Sequence, residues 1–150
     1  MLTELITLLT CEGLTGKELA DSVSRIHASP ADPELDWIEG QSTGEYMQFA
    51  VLAELGDYFA TGEHIEQVHE EISELFAQPL PAFPHEMDTA AYFQWLDAQL
   101  AARATPYEAL VWGNFFDDNL YVFIVRRNDT ARVLELATQL ELVVAPATPR

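Results

Sequence analysis

The glycines around Ser42 form the pattern in this sequence that comes closest to a catalytic motif. The run GQSTG at residues 40–44 matches the nucleophile elbow of hydrolases, in which a sharp turn exposes a serine hydroxyl. Such a serine needs a histidine to take its proton and an acid to orient that histidine, and Asp57 followed by His64, His69 or His85 has a suitable chain order. An elbow also needs a central strand before it, and only the short apolar run at residues 35–38 is present. We therefore favour the alternative, in which Ser42 caps a helix.

The step Glu66-x-x-His69 is a second candidate, because a carboxylate and an imidazole three residues apart on a helix can bind one metal ion. Di-metal sites in helix bundles use two such steps, and this chain contains one. His64 lies one turn earlier and would be a further ligand. We place the step opposite the apolar stripe that begins at Ile65, where it would face water. The sequence therefore predicts a solvated acidic face without a bound metal, and a metal site at His64, Glu66 and His69 is the alternative.

The distribution of charge constrains the partners of this chain. Residues 26–102 contain fifteen Asp and Glu residues and no Lys or Arg, and the formal net charge of the chain is −18. A protein that binds duplex nucleic acid needs basic side chains to neutralise phosphates, and an anionic membrane surface repels an acidic protein. The sequence therefore predicts no nucleic-acid or membrane partner. A solvated acidic surface is enough to explain this charge, and the alternatives are docking to a basic protein or acidic mimicry of nucleic acid. If the surface does have a partner, a basic protein is the expected one.

Two groups of residues are candidates for that protein contact. Glu66, Glu70 and Glu74 recur at helical spacing within the acidic region. Phe115 and Phe116 stand beside a predicted hairpin tip, where at most one of two adjacent strand residues points into the core. The other would be exposed, as the aromatic anchors of interfaces often are.

The length and the cysteine content bound the class of protein. A chain of 150 residues predicts a single domain, residues 1–150, with a sizeable core. Cys11 is the one cysteine, which excludes an intrachain disulfide and a Cys-based zinc site and fits a reducing compartment. The first residues lack the basic segment of a signal peptide, and no apolar run is as long as a membrane span. We therefore expect a cytoplasmic protein without a cofactor.

Apolar spacing predicts helices in the first two-thirds of the chain. These helices cover approximately residues 2–9, 15–27, 42–60, 63–77 and 88–103. Their N-caps are Thr15, Ser42 and Asp88 or its neighbour, because short polar side chains accept hydrogen bonds from the first free backbone N–H groups. Gly62 stands where a C′ glycine would end the third helix.

The pattern changes at Tyr107, where β-branched and aromatic runs begin. They predict strands at residues 109–112 and 120–125, joined by a turn at residues 117–119. The second strand is apolar on both faces, so both faces should be covered. A helix capped by Asp129 and a strand at residues 142–144 complete this unit.

Together these elements predict an α+β fold. The helical N-terminal part, residues 1–104, packs with a small mixed sheet formed by the strand–strand–helix–strand unit of residues 107–145. The connection to the last strand should be right-handed if that strand lies parallel to the second.

Three segments resemble an uncharacterised bacterial family of small acidic proteins, a domain of unknown function. They are the run LDW at residues 35–37, the helix at residues 88–102 and the segment at residues 107–144. The resemblance covers about two-thirds of the chain. It implies a helical N-terminal part and a closing unit of strand, Asp-rich turn, strand, helix and strand. It implies no catalytic residue, and the glycines around Ser42 are not part of the pattern.

The functional hypothesis that follows is a non-enzymatic interaction protein whose acidic helical surface meets a basic protein. An immunity protein or an inhibitor of a basic toxin or nuclease would be one form. The alternative is a small hydrolase that uses Ser42, Asp57 and His85, or a metal-dependent enzyme that uses the Glu66/His69 region.

Overall fold

The computed structural model describes residues 1–29, 43–76, 80–83, 88–113 and 119–148, with the backbone alone at residues 43–45. The helices along these residues are α1 (Leu2–Leu9), α2 (Gly16–His27), α3 (Thr43–Glu54), α4 (Ile65–Glu74), α5 (Thr89–Ala101) and α6 (Thr130–Gln139). The strands are β1 (Phe59–Gly62), β2 (Tyr107–Trp112), β3 (Leu120–Arg126) and β4 (Val144–Pro146). None of the described helices is both long and apolar enough to cross a membrane.

The four strands form one sheet in the order β1-β3-β2-β4. Leu110 of β2 lies opposite Phe123 of β3, and Val111 lies opposite Ala145 of β4. The predicted α+β class and the antiparallel pairing of β2 with β3 are confirmed. The prediction of a mixed sheet was wrong, because every strand pair in the described residues is antiparallel. β4 runs in the same direction as β3, but β2 lies between them.

The strand β1 replaces the end of a predicted helix. The helix expected over residues 42–60 ends at Glu54, and Phe59–Gly62 pairs with β3 at the edge of the sheet. Gly62 is therefore the last residue of a strand and not the C′ residue of a helix. A Cβ atom at Gly62 would lie 2.8 Å from the Cβ of Gln67, so glycine lets α4 begin close behind the strand.

Both cores are built on β3. Phe123 and Val125 point to one side of the sheet and pack with apolar residues of α1, α2, α3 and α6. Val122 and Ile124 point to the other side and pack with α4 and α5. Both faces of this strand are covered, as the sequence predicted. Full burial of one such side chain stabilises the fold by about 1.5–3 kcal/mol, so β3 requires helices on both sides.

The predicted N-caps have different outcomes. The Asp88 carboxylate accepts a hydrogen bond from the Ala91 N–H at 2.7 Å, which confirms that residue as the cap of α5. Thr15 and Asp129 do precede α2 and α6, but neither side chain makes a cap hydrogen bond. The predicted cap Ser42 lies outside the described residues. The helix predicted at residues 63–77 is α4, which is shorter.

The side chain of Gln48 holds α3 against the last strand. Its amide accepts a hydrogen bond from the Val143 N–H at 2.8 Å and donates one to the Val143 carbonyl at 3.0 Å. The Trp112 indole donates to the Gln48 carbonyl at 2.9 Å, so this residue also joins β2. The predicted strand at residues 142–144 begins later, at Val144, because the Leu142 N–H bonds to the Ala137 carbonyl.

We expect Gln48→Ala to lower the free energy of unfolding by about 1–2 kcal/mol, because it removes two hydrogen bonds and leaves the Val143 N–H without its partner. The Val143 carbonyl keeps its hydrogen bond from the Gly113 N–H. Urea denaturation followed by circular dichroism measures this loss. Gln94→Ala is the matched control, since Gln94 is exposed in the middle of α5. Equal stabilities of the two variants would show that the Gln48 amide does not hold the strand.

Candidate functional site

The outer face of α4 carries an uninterrupted row of acids. Glu66, Glu70 and Glu74 follow one another at intervals of four residues, and all three are exposed, as the sequence predicted. The inner face of the helix buries Val68 and Ile72 against the sheet. Because the helix rises about 1.5 Å per residue, neighbouring carboxylates in this row are spaced by about 6 Å along the axis.

The arginines of the described residues are occupied elsewhere. Four of them form ion pairs with the acids of other elements: Arg25 with Glu54, Arg126 with Glu12, Arg127 with Asp97, and Arg132 with Glu4. The hydrogen bonds from Arg132 lower the pKa of the Glu4 carboxyl. None of the ion pairs between described residues includes an acid of the α4 row. The row therefore presents three negative charges that the fold itself does not neutralise.

His69 is buried, and the prediction that it faces water was wrong. It is four residues after Ile65 and three before Ile72, which places it on the apolar stripe and not opposite it. Its side chain is only 4% exposed, whereas Glu66 of the same step is exposed. The helical spacing of His69 from Ile65 and Ile72 is sufficient to show this.

Both ring nitrogens of His69 have hydrogen-bond partners. Nε2 lies 3.0 Å from the Pro81 carbonyl, which can only accept, so we assign the proton to Nε2. Nδ1 then accepts a hydrogen bond from the Tyr92 hydroxyl at 2.9 Å. Burial raises the pKa of Tyr92 above its usual value, which keeps this hydroxyl protonated as a donor. The rings of Phe83 and Trp95 complete an aromatic enclosure around the imidazole.

These contacts give His69 a structural task. It joins α4 to α5 through Tyr92 and to the segment at residues 80–83 through Pro81. A metal ion would have to displace one of these hydrogen bonds. His64 and Glu66 are exposed, and the described residues contain no group of three or more His, Cys, Asp or Glu side chains that could hold a metal ion.

The proposed catalytic residues are not brought together among the described residues. Ser42 and His85 lie outside the described residues, as do the two proposed aromatic anchors Phe115 and Phe116. Asp57 is exposed in the connection between α3 and β1. Asp57 and Glu74, one of the predicted interaction residues, line the same cleft.

That cleft has a volume of about 300 Å³ and opens at the C-terminal end of α4. Its wall combines two carboxylates with aromatic rings and a thiol, and includes Cys11, Asp57, Tyr58, Glu74, Phe76 and Tyr107. We did not predict this group from the sequence. Its members come from four separate parts of the chain, and only the alternation of Asp57-Tyr58 and Glu74-Leu75-Phe76 hinted that acids and aromatic rings stand side by side.

Cys11 is not an activated nucleophile. Its thiol is half-buried and lies 3.5 Å from the Ile124 carbonyl, to which it donates a weak hydrogen bond. Burial raises the pKa of this thiol, although the nearby charge of Arg126 opposes that effect. A protonated thiol is a poor nucleophile, so the cleft does not have the character of a cysteine-dependent active site.

Comparison with known proteins adds no relative: no family model, curated protein or solved structure matches this chain. The resemblance to a bacterial family of small acidic proteins therefore stays a prediction. The site must be interpreted from its own chemistry, which is an unneutralised acidic row on α4 that ends at a cleft with aromatic walls.

We expect His69→Phe to lower the free energy of unfolding by about 2–3 kcal/mol, because it leaves the Tyr92 hydroxyl buried without a partner and removes the hydrogen bond to the Pro81 carbonyl. Tyr92→Phe should cost less, about 1–2 kcal/mol, since it removes a single hydrogen bond and leaves one buried atom, Nδ1 of His69, without its donor. In a double-mutant cycle the two losses should not add, because both variants remove the same contact. Additive losses measured by urea denaturation would contradict a direct bond between these side chains.

Zinc should bind only weakly, without a stoichiometric site at His64, Glu66 and His69. The reason is that His69 already uses both ring nitrogens inside the protein. Isothermal titration calorimetry of the wild type and of His64→Ala measures the affinity and the stoichiometry. A tight one-to-one isotherm that disappears in His69→Ala, with the variant still folded, would contradict this assignment.

Proposed function

We propose that this protein is a non-enzymatic interaction module that binds a basic protein through the outer face of α4. An immunity protein or an inhibitor that neutralises a basic toxin or nuclease is one concrete form of this function. The observation that carries the proposal is the row of Glu66, Glu70 and Glu74, which is exposed and has no ion-pair partner among the described residues.

The spacing of the row supports a role in steering a partner. Its three charges extend over about 12 Å, which is comparable with the Debye length of about 8 Å at physiological ionic strength. Their potentials therefore overlap and attract a basic protein before contact is made. Four arginines of the described residues pair with acids of other elements, and Arg103 lies on the Phe76 ring just beyond α4. None of the ion pairs between described residues includes an acid of the row.

The enzymatic alternative has less support. A metal-dependent reaction at Glu66 and His69 would need an accessible imidazole, and this one is buried between Tyr92 and Pro81. A hydrolase would need the hydroxyl of Ser42 beside a histidine and an acid. Asp57, the acid with the suitable chain order, lies in the cleft with Glu74.

Association with the basic partner should slow steeply as ionic strength rises, because screening weakens the attraction of the row. The partner is isolated by affinity capture from the native host, and its association rate is then measured by surface plasmon resonance at low and high salt. Replacement of the row by Glu66→Gln, Glu70→Gln and Glu74→Gln should lower the rate at low salt by about tenfold or more.

A second triple variant is the control for net charge. Glu18→Gln, Asp21→Asn and Glu141→Gln remove three exposed acids away from α4 and should leave the rate much less changed. A partner that associates equally fast with both triple variants, or at a rate independent of salt, would overturn the proposal. The acidity would then serve only to keep the protein in solution.

A further inference from the structure

The last turn of α4 has no basic residue of its own, and a cation from another part of the chain, Arg103, lies on the Phe76 ring just beyond it. Partial negative charge accumulates there from the unpaired carbonyl groups, and Lys or Arg side chains usually offset it. Three of the last five residues of the helix are the acids Glu70, Glu71 and Glu74. Glu71 has a partner within the fold, since its carboxylate accepts a hydrogen bond from the Thr61 N–H of the edge strand β1 at 3.1 Å. Glu70 and Glu74 add their charge to the negative end of the helix.

The cleft of about 300 Å³ begins at this helix end. Glu74, Leu75 and Phe76 form one wall, and Asp57 stands on another. Neither Asp57 nor Glu74 is paired with an arginine among the described residues. The two carboxylates disfavour an anion beside them, although Arg103 and Arg126 lie against the walls formed by Phe76 and Cys11. A neutral apolar group would take water away from the carboxylates and offer no hydrogen bond in its place.

The aromatic walls select an organic cation over a bare one. Phe76 and Tyr107 pack edge to face with their ring centres 5.2 Å apart, and both line the cleft. Within the protein, the Arg103 guanidinium lies 4.2 Å from the centre of the Phe76 ring, so this ring already takes part in a cation–π contact. A flexible alkyl chain that ends in a charged group can pack along such walls and place its charge beside carboxylates.

We propose that this cleft is the anchor site for one lysine or arginine side chain of the basic partner. The proposal rests on the proposed function and deepens it, because Glu74 belongs both to the acidic row and to the cleft. The alkyl part of the side chain packs against Phe76 and Tyr107. Its charged end lies between Asp57 and Glu74, at the negative end of α4.

The continuity of the row with the cleft favours a protein segment over a free small cation. From Glu74 the row continues to Glu70 and Glu66 at intervals of about 6 Å. In an extended segment, alternate side chains on one face are spaced by about 7 Å, so basic residues at every second position match the row. One such segment fills the cleft with one cation and places the next two beside Glu70 and Glu66.

The single cysteine provides a direct reporter of the cleft. Cys11 lines it, so a bound side chain should slow the reaction of this thiol with iodoacetamide. The probe is an acetylated and amidated peptide, Lys-Gly-Lys-Gly-Lys, at fixed pH and ionic strength. The matched control peptide has norleucine in place of each lysine, which retains the alkyl chain and removes the charge. We expect several-fold slower modification with the lysine peptide and no change with the norleucine peptide.

Substitutions separate the cleft from the rest of the row. Asp57→Asn should weaken the binding of the lysine peptide by about three- to fivefold and reduce the protection of Cys11, because one partly exposed ion pair is lost. Phe76→Leu should also weaken peptide binding and reduce the protection of Cys11, provided that its melting temperature shows that the variant is folded. Glu18→Gln, which removes an equal charge on α2, should change neither measurement.

The peptide experiments test the anchor site and the proposed function separately. If the lysine peptide binds and Glu66→Gln weakens it, while Cys11 reacts at an unchanged rate, the anchor site is overturned and the acidic row stands. If the peptide does not bind to the wild type at all, both lose their support. Equal protection by spermidine at matched ionic strength would overturn the assignment to a protein side chain and would make the cleft a site for free polyamines.

Discussion

The burial of β3 on both faces is the constraint on which the rest of this fold depends. A strand that is apolar on one face can leave its other face in water, but Val122 and Phe123 are both fully buried, on opposite sides of the sheet. The chain must therefore supply a helical layer on each side. The helices α1, α2, α3 and α6 cover one side, while α4 and α5 cover the other. Successive residues of a strand point to opposite faces of the sheet. Because both faces of β3 are apolar, each face needs an apolar layer packed against it, and this requirement sets the layered architecture.

The position of α4 in the outer layer explains why its charges are available. Its apolar stripe, which includes His69, is used to cover the sheet and α5, so only the opposite side remains for polar residues. Elsewhere acids on the outer surface meet arginines of neighbouring elements, and such pairs join α2 to α3 and α1 to α6. No described arginine forms an ion pair with α4. Acids on one part of the surface are therefore paired with arginines, whereas the acids on the outer face of α4 have no ion-pair partner among the described residues.

Sequence reasoning succeeded where the signal was local and failed where it depended on distant partners. The apolar run of β3 and the Asp88 cap are local, and both were predicted. The strand β1 is four residues long and is stabilised by a partner much later in the chain, so its own residues resembled the end of a helix. The cleft is a similar case, because Cys11, Asp57 and Tyr107 meet only in the folded chain. His69 is different: its spacing from Ile72 already placed it on the buried face, and the error was one of assignment.

The last turn of α4 shows how a local cost can indicate function. Acids near the negative end of a helix destabilise it by a few tenths of a kcal/mol or more, and a single Lys or Arg in the last turn would offset this. Glu71 has a compensating contact with β1, but Glu70 and Glu74 face water, and Glu74 also lines the cleft. Natural proteins keep such local conflicts mainly where a site needs them. A cation supplied by another protein would remove the conflict when it binds. The charge that weakens the isolated helix would then strengthen such a complex.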